Sequence, residues 1–291
     1  MGVVESMYFP PFLTLNFLVL TTQNRFLEVL PLIQRTPEYL QATNYRNPDD
    51  PTAGPLQYTH KTKSDSFTWL CENPAAMARF NTFMEGQRAN RPYWGDWFPV
   101  RERILNETST DPERPLLVDI GGGRGHDLLA FRDRFPDAPG KLVLEDLPGV
   151  IDEVRGIQDL SKDFRFDTVP YDFFTQVQPV QGSRMYYFKH VLHDWSDEKA
   201  SIMFNNLKPA MQRGYSKLLI EEYILPDHNA SQISCLTDIG VMVFCSGLER
   251  TRQQWTRLLT SVGFRILEFW LQSSGLGVIE VDLPEEQESN A

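Results

Sequence analysis

The chain has 291 residues, of which 41% are hydrophobic and 23% are charged, the balance of a soluble globular protein. Its formal net charge of −11 argues against a nucleic-acid partner, because phosphate binding needs a cationic surface. The apolar stretch at 8–20 is too short to span a bilayer and holds two prolines, so no membrane association is predicted. Three cysteines without metal-ligand spacing favour a reducing compartment. We therefore expect a cytoplasmic protein.

The amino-terminal part of the chain has a helical pattern. Residues 1–42 are mostly apolar without strand alternation, and we interpret them as short helices. Residues 64–90 also have a helical pattern, which Pro74 is expected to split into two helices. We predict a helical amino-terminal region over 1–105 and a second domain over 106–291.

Short runs rich in Val, Ile, Leu and Tyr alternate with longer amphipathic stretches in the second domain. The runs lie at 116–120, 141–146, 164–169, 184–191 and 216–225, and the amphipathic stretches at 125–134, 149–159, 196–212 and 232–245. This alternation predicts repeated βα units, and therefore an α/β fold with a parallel sheet and helices on both faces. After a helix at 251–264, two strands follow with no helix between them, which predicts an antiparallel pair.

The stretch "LLVDIGGGRGHDLLAF" is typical of a buried strand, a glycine turn and a helix that together bind a cofactor. The spacing G-x-G-x-x-G of nicotinamide-binding proteins fails in every register. What fits is Asp119-x-Gly121-x-Gly123-x-Gly125, with an acid at the end of the strand. An acid there repels a pyrophosphate but can pair with a cationic group, such as the ammonium of S-adenosylmethionine. We favour that cofactor over a glycine turn without a ligand.

Two further acidic sites lie at the ends of the next two predicted strands. Asp146 follows the glycine loop by about twenty residues, where a carboxylate can accept both ribose hydroxyls of a nucleoside. In "PYDFF", Asp172 could accept from an adenine amino group while Phe173 packs against the base. Acids at the carboxyl ends of the first three strands predict a cleft at one edge of the sheet.

The sequence resembles the plant and fungal small-molecule O-methyltransferases, which use S-adenosylmethionine and need no metal. The resemblance runs from about Leu116 to Leu283. It rests on "VDIGGGRGHDLLAF", "EDLPGVI", "YDFF", "FKHVLHDWSDEKA", "EEYILP" and "SGLERTRQQWTRLLTSVGF", in the family's order. It implies a Rossmann-like sheet of seven strands with the last antiparallel. It also implies methyl transfer to a hydroxyl of an aromatic or polyketide-like secondary metabolite.

The resemblance assigns roles to individual residues as well. In the family, the histidine of His-Asp-Trp is the general base, which implies that role for His193, with the acids Glu222 and Glu249 beside it. The implied cofactor contacts are Gly121, Gly122 and Gly123 of the glycine loop, Asp146, Asp172, Phe173 and Lys189. The implied substrate-lining positions are Met242 and Phe244.

A neutral imidazole can take the proton of a phenolic hydroxyl as the oxygen attacks the sulfonium methyl. Ordinary pKa values of about 6.5 for histidine and about 10 for a phenol leave that transfer roughly 5 kcal/mol uphill. A carboxylate on the far ring nitrogen favours the imidazolium, and Glu222 or Glu249 could supply it. We therefore interpret His193 as the base. His190 has no matching catalytic role in the family, and we interpret it as structural or pocket-lining.

Alternatives remain open on the basis of the sequence. Family members carry a long amino-terminal region that forms a dimer and closes the substrate pocket, and the region before the glycine loop is shorter here, which leaves the homodimer open. Some relatives bind S-adenosylmethionine and catalyse cyclisation without methyl transfer, and a partner subunit would bind it without turnover. Loss of the His-Asp pair would favour the cyclase, whereas His193 and Asp194 are both present.

Overall fold

The computed structural model describes residues 25–89, 91–157, 166–273 and 275–285. The chain divides into two compact units. The smaller unit comprises the described residues before Tyr93 together with Ile239–Gly247, and the larger unit comprises Tyr93–Asp238 and the described residues from Leu248 onward. Within the described part of the chain, no helix is both long and apolar enough to cross a membrane.

Four helices form most of the smaller unit, after one π-helical turn at Arg25–Val29. They are α1 (Leu30–Ala42), α2 (Pro55–His60), α3 (Ser66–Glu72) and α4 (Pro74–Ala89). Asp65 caps α3 by accepting hydrogen bonds from the backbone N–H groups of Phe67 and Thr68. The predicted break at Pro74 is confirmed, because α3 ends before it and α4 begins at it. The helices predicted before residue 25 lie outside the described residues.

The larger unit contains the seven-stranded sheet. Its strands are β1 (Pro115–Ile120), β2 (Lys141–Asp146), β3 (Asp167–Pro170), β4 (Met185–Lys189), β5 (Lys217–Tyr223), β6 (Arg265–Leu271) and β7 (Leu276–Asp282). Their order across the sheet is β3-β2-β1-β4-β5-β7-β6, and β7 pairs antiparallel with both β5 and β6. This confirms the predicted α/β fold with an antiparallel last strand.

Helices connect the strands on both faces of the sheet. They are α5 (Val100–Arg103), α6 (His126–Arg134), α7 (Pro148–Ile157), α8 (Asp197–Leu207), α9 (Gln232–Cys245) and α10 (Arg252–Ser261); α9 contributes residues to both units. Along β4, Tyr186 and Phe188 enter one buried cluster, while Met185 and Tyr187 enter another. The sheet is therefore buried on both faces, and the carboxyl ends of β1 to β5 meet at one edge.

Some predicted limits were wrong for local reasons. The strand predicted at 184–191 ends at Lys189, because His190 adopts a left-handed conformation with φ of +49°. The helix predicted at 196–212 ends at Leu207 and gives way to a 3₁₀ turn that contains Pro209, which cannot donate an α-helical hydrogen bond. The larger unit begins at Tyr93, earlier than the predicted boundary after residue 105, and Trp94 packs in the same core cluster as Leu117.

Candidate active site

His193 lies in a 3₁₀ turn, Leu192–Asp194, just beyond the end of β4. The neighbouring strand β5 carries Glu222, which is fully buried. Its Oε1 atom accepts hydrogen bonds from three successive backbone N–H groups, those of Val191 at 3.2 Å, Leu192 at 3.0 Å and His193 at 3.3 Å. One carboxylate therefore fixes the backbone of the turn, and it does so without using the imidazole.

Three carboxylates surround the ring of His193. Its Nδ1 atom lies 2.9 Å from Oε1 of Glu249 and 3.5 Å from Oε2 of Glu222, and its Nε2 atom lies 3.5 Å from Oδ1 of Asp194. Burial lowers the pKa of His193, but the charges of Glu222, Glu249 and Asp194 outweigh it and raise that pKa well above 6.5. The imidazolium is therefore strongly stabilised at this position.

The contact with Glu249 also decides which ring nitrogen is available. A carboxylate accepts hydrogen bonds, so its approach to Nδ1 of His193 favours the proton on that nitrogen. In the neutral ring this leaves Nε2 with a lone pair. Both predicted acids therefore lie beside His193: Glu249 orients the ring, and Glu222 holds the turn.

Arg250 is a residue that the sequence did not single out. Its guanidinium is fully buried and donates hydrogen bonds to the backbone carbonyl of Leu192 at 2.9 Å and to that of Trp195 at 2.7 Å. Its Nε atom donates to Asp197 Oδ1 at 2.7 Å. These bonds bracket His193 from either side along the backbone. The sequence feature that could have identified Arg250 is its position directly after Glu249 in "GLERT".

His190 belongs to the same cluster. Its side chain is buried, its Nδ1 atom lies 3.3 Å from Oε2 of Glu222, and its ring centroid lies 5.3 Å from that of His193. The nitrogen and oxygen atoms of His190, His193 and Glu222 lie within 4.8 Å of one another. Glu222 Oε1 is already held by backbone N–H groups and His193 Nδ1 by Glu249. His190 therefore belongs to the same buried cluster as His193 and Glu222.

The glycine loop follows β1, as predicted. Gly123 adopts a φ of +60°, in the left-handed region that favours glycine, and a Cβ atom there would meet no heavy atom within 4 Å. At Gly122, by contrast, a Cβ would lie 2.5 Å from the carboxylate of Asp119. The loop needs glycine at Gly122 for its close contact with that acid and at Gly123 for its backbone conformation. At Gly121, which also has a positive φ, a Cβ would lie 4.0 Å from the ring of Phe173.

Asp146, at the end of β2, is bonded to the glycine loop. Its Oδ2 atom accepts from the backbone N–H of Gly123 at 2.8 Å, and its Oδ1 atom accepts from that of Leu147 at 2.7 Å. Burial raises the pKa of Asp146, and the two N–H groups oppose that rise. An ionised carboxylate has about four acceptor sites. Asp146 can therefore brace the loop and still accept from ribose hydroxyls.

Asp172 and Phe173 lie near the same edge of the sheet but differ in their contacts. Asp172 is bonded within its own turn, because its carboxylate accepts from the N–H of Phe174 at 2.9 Å and from the hydroxyl of Thr175 at 2.8 Å. The ring of Phe173 borders the glycine loop and packs edge-on against Phe174 at 4.8 Å between centroids. Phe173 thus borders the loop and Asp172 holds its own turn, and the contacts of both with a cofactor stay predictions.

Lys189, the last residue of β4, is paired with protein carboxylates. Its Nζ atom lies 2.9 Å from Oδ1 of Asp127 and 3.4 Å from Oε2 of Glu221. Glu221 also accepts a hydrogen bond from the hydroxyl of Tyr187. Burial raises the pKa of that hydroxyl, and the charges of Glu221, Asp127 and Asp119 raise it further. The carboxyl groups of Glu221, Asp127 and Asp119 therefore all lie near the hydroxyl of Tyr187, and the ammonium of Lys189 lies beside the first two.

Met242 and Phe244, the predicted substrate-lining residues, belong to the smaller unit. Both pack against a core formed by Leu32, Leu56 and Val243. The ring of Phe244 stacks on that of Phe80 with 5.7 Å between centroids. Their role towards a substrate stays a prediction.

Comparisons with known proteins show the family to which the chain belongs. Residues 81–265 match the family model described as an O-methyltransferase domain. The O-methyltransferase asqD of Emericella nidulans is 39% identical over 254 residues, which cover 87% of this chain and 64% of asqD. The chain thus spans less than two thirds of that relative's length.

Two solved structures share the fold. One is titled "The structure of LepI complex with SAM" and the other "A Pericyclic Reaction enzyme". Each superposes on 92% of this chain with a TM-score of 0.81 and 28% sequence identity. The matched part is 67% of the first neighbour's chain and 68% of the second's. The matched family model, the related sequence and the seven-stranded sheet agree with one another. The chain belongs to the O-methyltransferase domain family.

Proposed function

We propose that this chain is an S-adenosylmethionine-dependent O-methyltransferase that transfers a methyl group to a hydroxyl of an aromatic or polyketide-like secondary metabolite, with His193 as general base. The observation that carries the proposal is the 2.9 Å contact between His193 Nδ1 and Glu249 Oε1, which leaves Nε2 as the proton acceptor. Membership of the O-methyltransferase domain family supports the reaction type. The homodimer stays a prediction.

The residues around the glycine loop fit a cationic cofactor. Asp119, Asp127 and Glu221 are buried acidic residues near the loop, and Lys189 lies beside two of them. Acidic side chains at this position favour a cationic ligand and disfavour a pyrophosphate. S-adenosylmethionine is cationic at its sulfonium and its ammonium, and the space beside Gly123 is open on the side where a Cβ would stand.

His193, Glu249 and Glu222 have different roles in the proposed proton transfer. When bound, the cofactor supplies an electrophilic methyl group on sulfur. His193 Nε2 accepts the proton of the acceptor hydroxyl, and Glu249 and Glu222 stabilise the imidazolium that results. Since each pKa unit corresponds to about 1.4 kcal/mol, the raised pKa of His193 removes part of the roughly 5 kcal/mol cost of deprotonating a phenol.

Calorimetric titration with S-adenosylmethionine and with its demethylated product tests the cofactor assignment first. We expect micromolar binding of both ligands. A folded protein that binds neither would contradict the proposal.

A screen of phenolic and enolic acceptors then tests the base. We expect His193→Gln to lower turnover by about 10²- to 10⁴-fold, the usual contribution of a general base, and to leave cofactor affinity unchanged. His228→Gln is the matched control, because His228 is exposed. Full activity of His193→Gln would rule out the base assignment.

A second candidate function is cyclisation without methyl transfer. It is favoured by the likeness to the structure titled "A Pericyclic Reaction enzyme", at 28% identity. Mass spectrometry of the product separates the two reactions, because methyl transfer adds one methylene unit to the acceptor and a cyclisation leaves its mass unchanged. A partner subunit without activity would bind the cofactor and give neither product.

A further inference from the structure

His190 occupies a strained position next to the proposed base. It is a non-glycine residue with φ of +49°, and its side chain is only 8% exposed. This conformation ends β4 and brings the ring to Glu222. There Oε2 of Glu222 lies 3.3 Å from Nδ1 of His190 and 3.5 Å from Nδ1 of His193. Two imidazoles therefore approach one carboxylate oxygen.

The surroundings of His193 pose a chemical problem that His190 can ease. A general base must begin the reaction without its proton, yet Glu222, Glu249 and Asp194 all stabilise the protonated ring. A positive group that shares one of these carboxylates would weaken its hold on His193. The Nδ1 atom of His190 lies 3.3 Å from Oε2 of Glu222, whereas the turn N–H groups bond to Oε1.

We propose that His190 is a positioning residue that shares the Oε2 atom of Glu222 and thereby keeps His193 able to accept a proton near neutral pH. The inference deepens the proposed function, since it concerns the same base. With its proton on Nδ1, His190 presents an N–H dipole 3.3 Å from Oε2 and offsets part of the negative charge that this oxygen presents to His193. The carboxylate then stabilises the imidazolium of His193 less, which favours the neutral ring.

The charged groups that act most strongly on His193 and Glu222 come from three parts of the chain. Glu222 comes from β5, Glu249 and Arg250 from the segment before α10, and Asp194 from the turn of His193 itself. Burial raises the pKa of Glu222, and the positive charge of Arg250 is one of the contributions that oppose this rise. The guanidinium of Arg250 donates to backbone carbonyls and to Asp197.

Nuclear magnetic resonance of the full chain tests the inference without substrate or cofactor. The protein is labelled with ¹⁵N-histidine and titrated with acid and base in the presence of EDTA, and its five histidines are assigned by substitution. We compare the wild type with His190→Leu and His190→Asn. Leucine removes the donor, whereas asparagine tolerates the left-handed backbone and places an amide N–H near the position of Nδ1.

The expected result is a rise of about one in the pKa of His193 in His190→Leu, and a value close to that of the wild type in His190→Asn. The His60 ring, in the smaller unit, should titrate identically in all three proteins. An unchanged or lowered pKa of His193 in a folded His190→Leu protein would overturn the inference. A merely structural role for His190 would lower the melting temperature and leave the pKa of His193 where it was.

If His190→Leu does not fold, the ¹⁵N titration of the wild-type protein tests the inference. Rings that share Glu222 must report on each other, so the ¹⁵N signals of His190 and His193 should each show both titration steps. Two independent single-step curves would overturn the inference. Neither result depends on methyl transfer, so failure here is distinct from failure of the proposed function, which the acceptor screen measures.

Discussion

Leu248 donates its backbone N–H to the carbonyl oxygen of His193 at 2.9 Å. The residue that orients the ring, Glu249, directly follows Leu248, so the backbone of the base and that of its carboxylate are hydrogen-bonded to each other. The backbone N–H of Glu249 donates in turn to Asp238 Oδ1 at 2.8 Å. Substituting the Glu249 side chain should therefore change the charge beside the base while leaving the backbone in place.

Glu249→Gln should shift the pH dependence of methyl transfer. The pKa of His193 is raised above 6.5, and the base is active only when neutral, so kcat/KM should rise with pH through that raised pKa and level off above it. Loss of the Glu249 charge should move this rise to lower pH by about one unit or more. The measurement is a pH–rate profile with the acceptor found by screening. Coincident profiles would show that Glu249 does not act on His193.

Asp146→Asn should weaken cofactor binding. One oxygen of the carboxylate accepts from Gly123 and the other from Leu147, so an amide can satisfy only one of these two N–H groups. We expect the dissociation constant for S-adenosylmethionine to increase by about tenfold or more, as for loss of one charged hydrogen bond. Calorimetry measures it. Asp152→Asn, on the exposed face of α7, is the control and should bind like the wild type.

Arg250→Lys should destabilise the larger unit. Lysine cannot reproduce the fork that donates to the carbonyls of both Leu192 and Trp195, so at least one of these hydrogen bonds is lost. We expect a loss of about 2–4 kcal/mol in the free energy of unfolding, measured by urea denaturation. Arg257→Lys, at an exposed position of α10, should change it by less than about 0.5 kcal/mol. Equal effects of the two substitutions would refute this role for Arg250.

Glu145→Gln should flatten the dependence of stability on pH. Burial raises the pKa of Glu145 to about 8, against the hydrogen bond from Gln178 that lowers it. The folded state therefore keeps a proton that the unfolded state releases, so the free energy of unfolding should fall as pH rises from about 4.5 to about 8. Urea denaturation at pH 5, 6.5 and 8 should show a smaller fall in Glu145→Gln than in the wild type. Glu102→Gln, at an exposed site, should follow the wild type.

The sheet and the identity of the acids around the base were accessible from the sequence. Periodicity and length locate β1, β2 and β5, because a strand buried on both faces reads as a continuous apolar run. The resemblance to the O-methyltransferase family implied that Glu222 and Glu249 lie near His193, and the structure brings all three together. These features depend on local sequence and on the topology that short connections allow.

The partners of charged side chains were not accessible in this way. The sequence did not predict the pairing of Lys189 with Asp127, which is far away in the sequence. The contact of Lys189 with the cofactor stays a prediction. The hydrogen bonds from Arg250 to the carbonyls of Leu192 and Trp195 likewise depend on tertiary packing, and so does the left-handed backbone of His190. Sequence spacing reports which face of an element a residue occupies, but not which of several nearby opposite charges it meets.

The adjacent glutamates of β5 serve two different networks because successive side chains of a strand point to opposite faces. Glu221 meets Lys189 and Tyr187, and Glu222 meets the turn of His193. The register that pairs Lys189 with Glu221 therefore also determines that Glu222 lies at the turn of His193. A slip of β5 by one residue would exchange the two acids between faces, separating the base from its support and the lysine from its counter-charge at once. Strand alignment in this sheet is consequently a chemical constraint as well as a folding one.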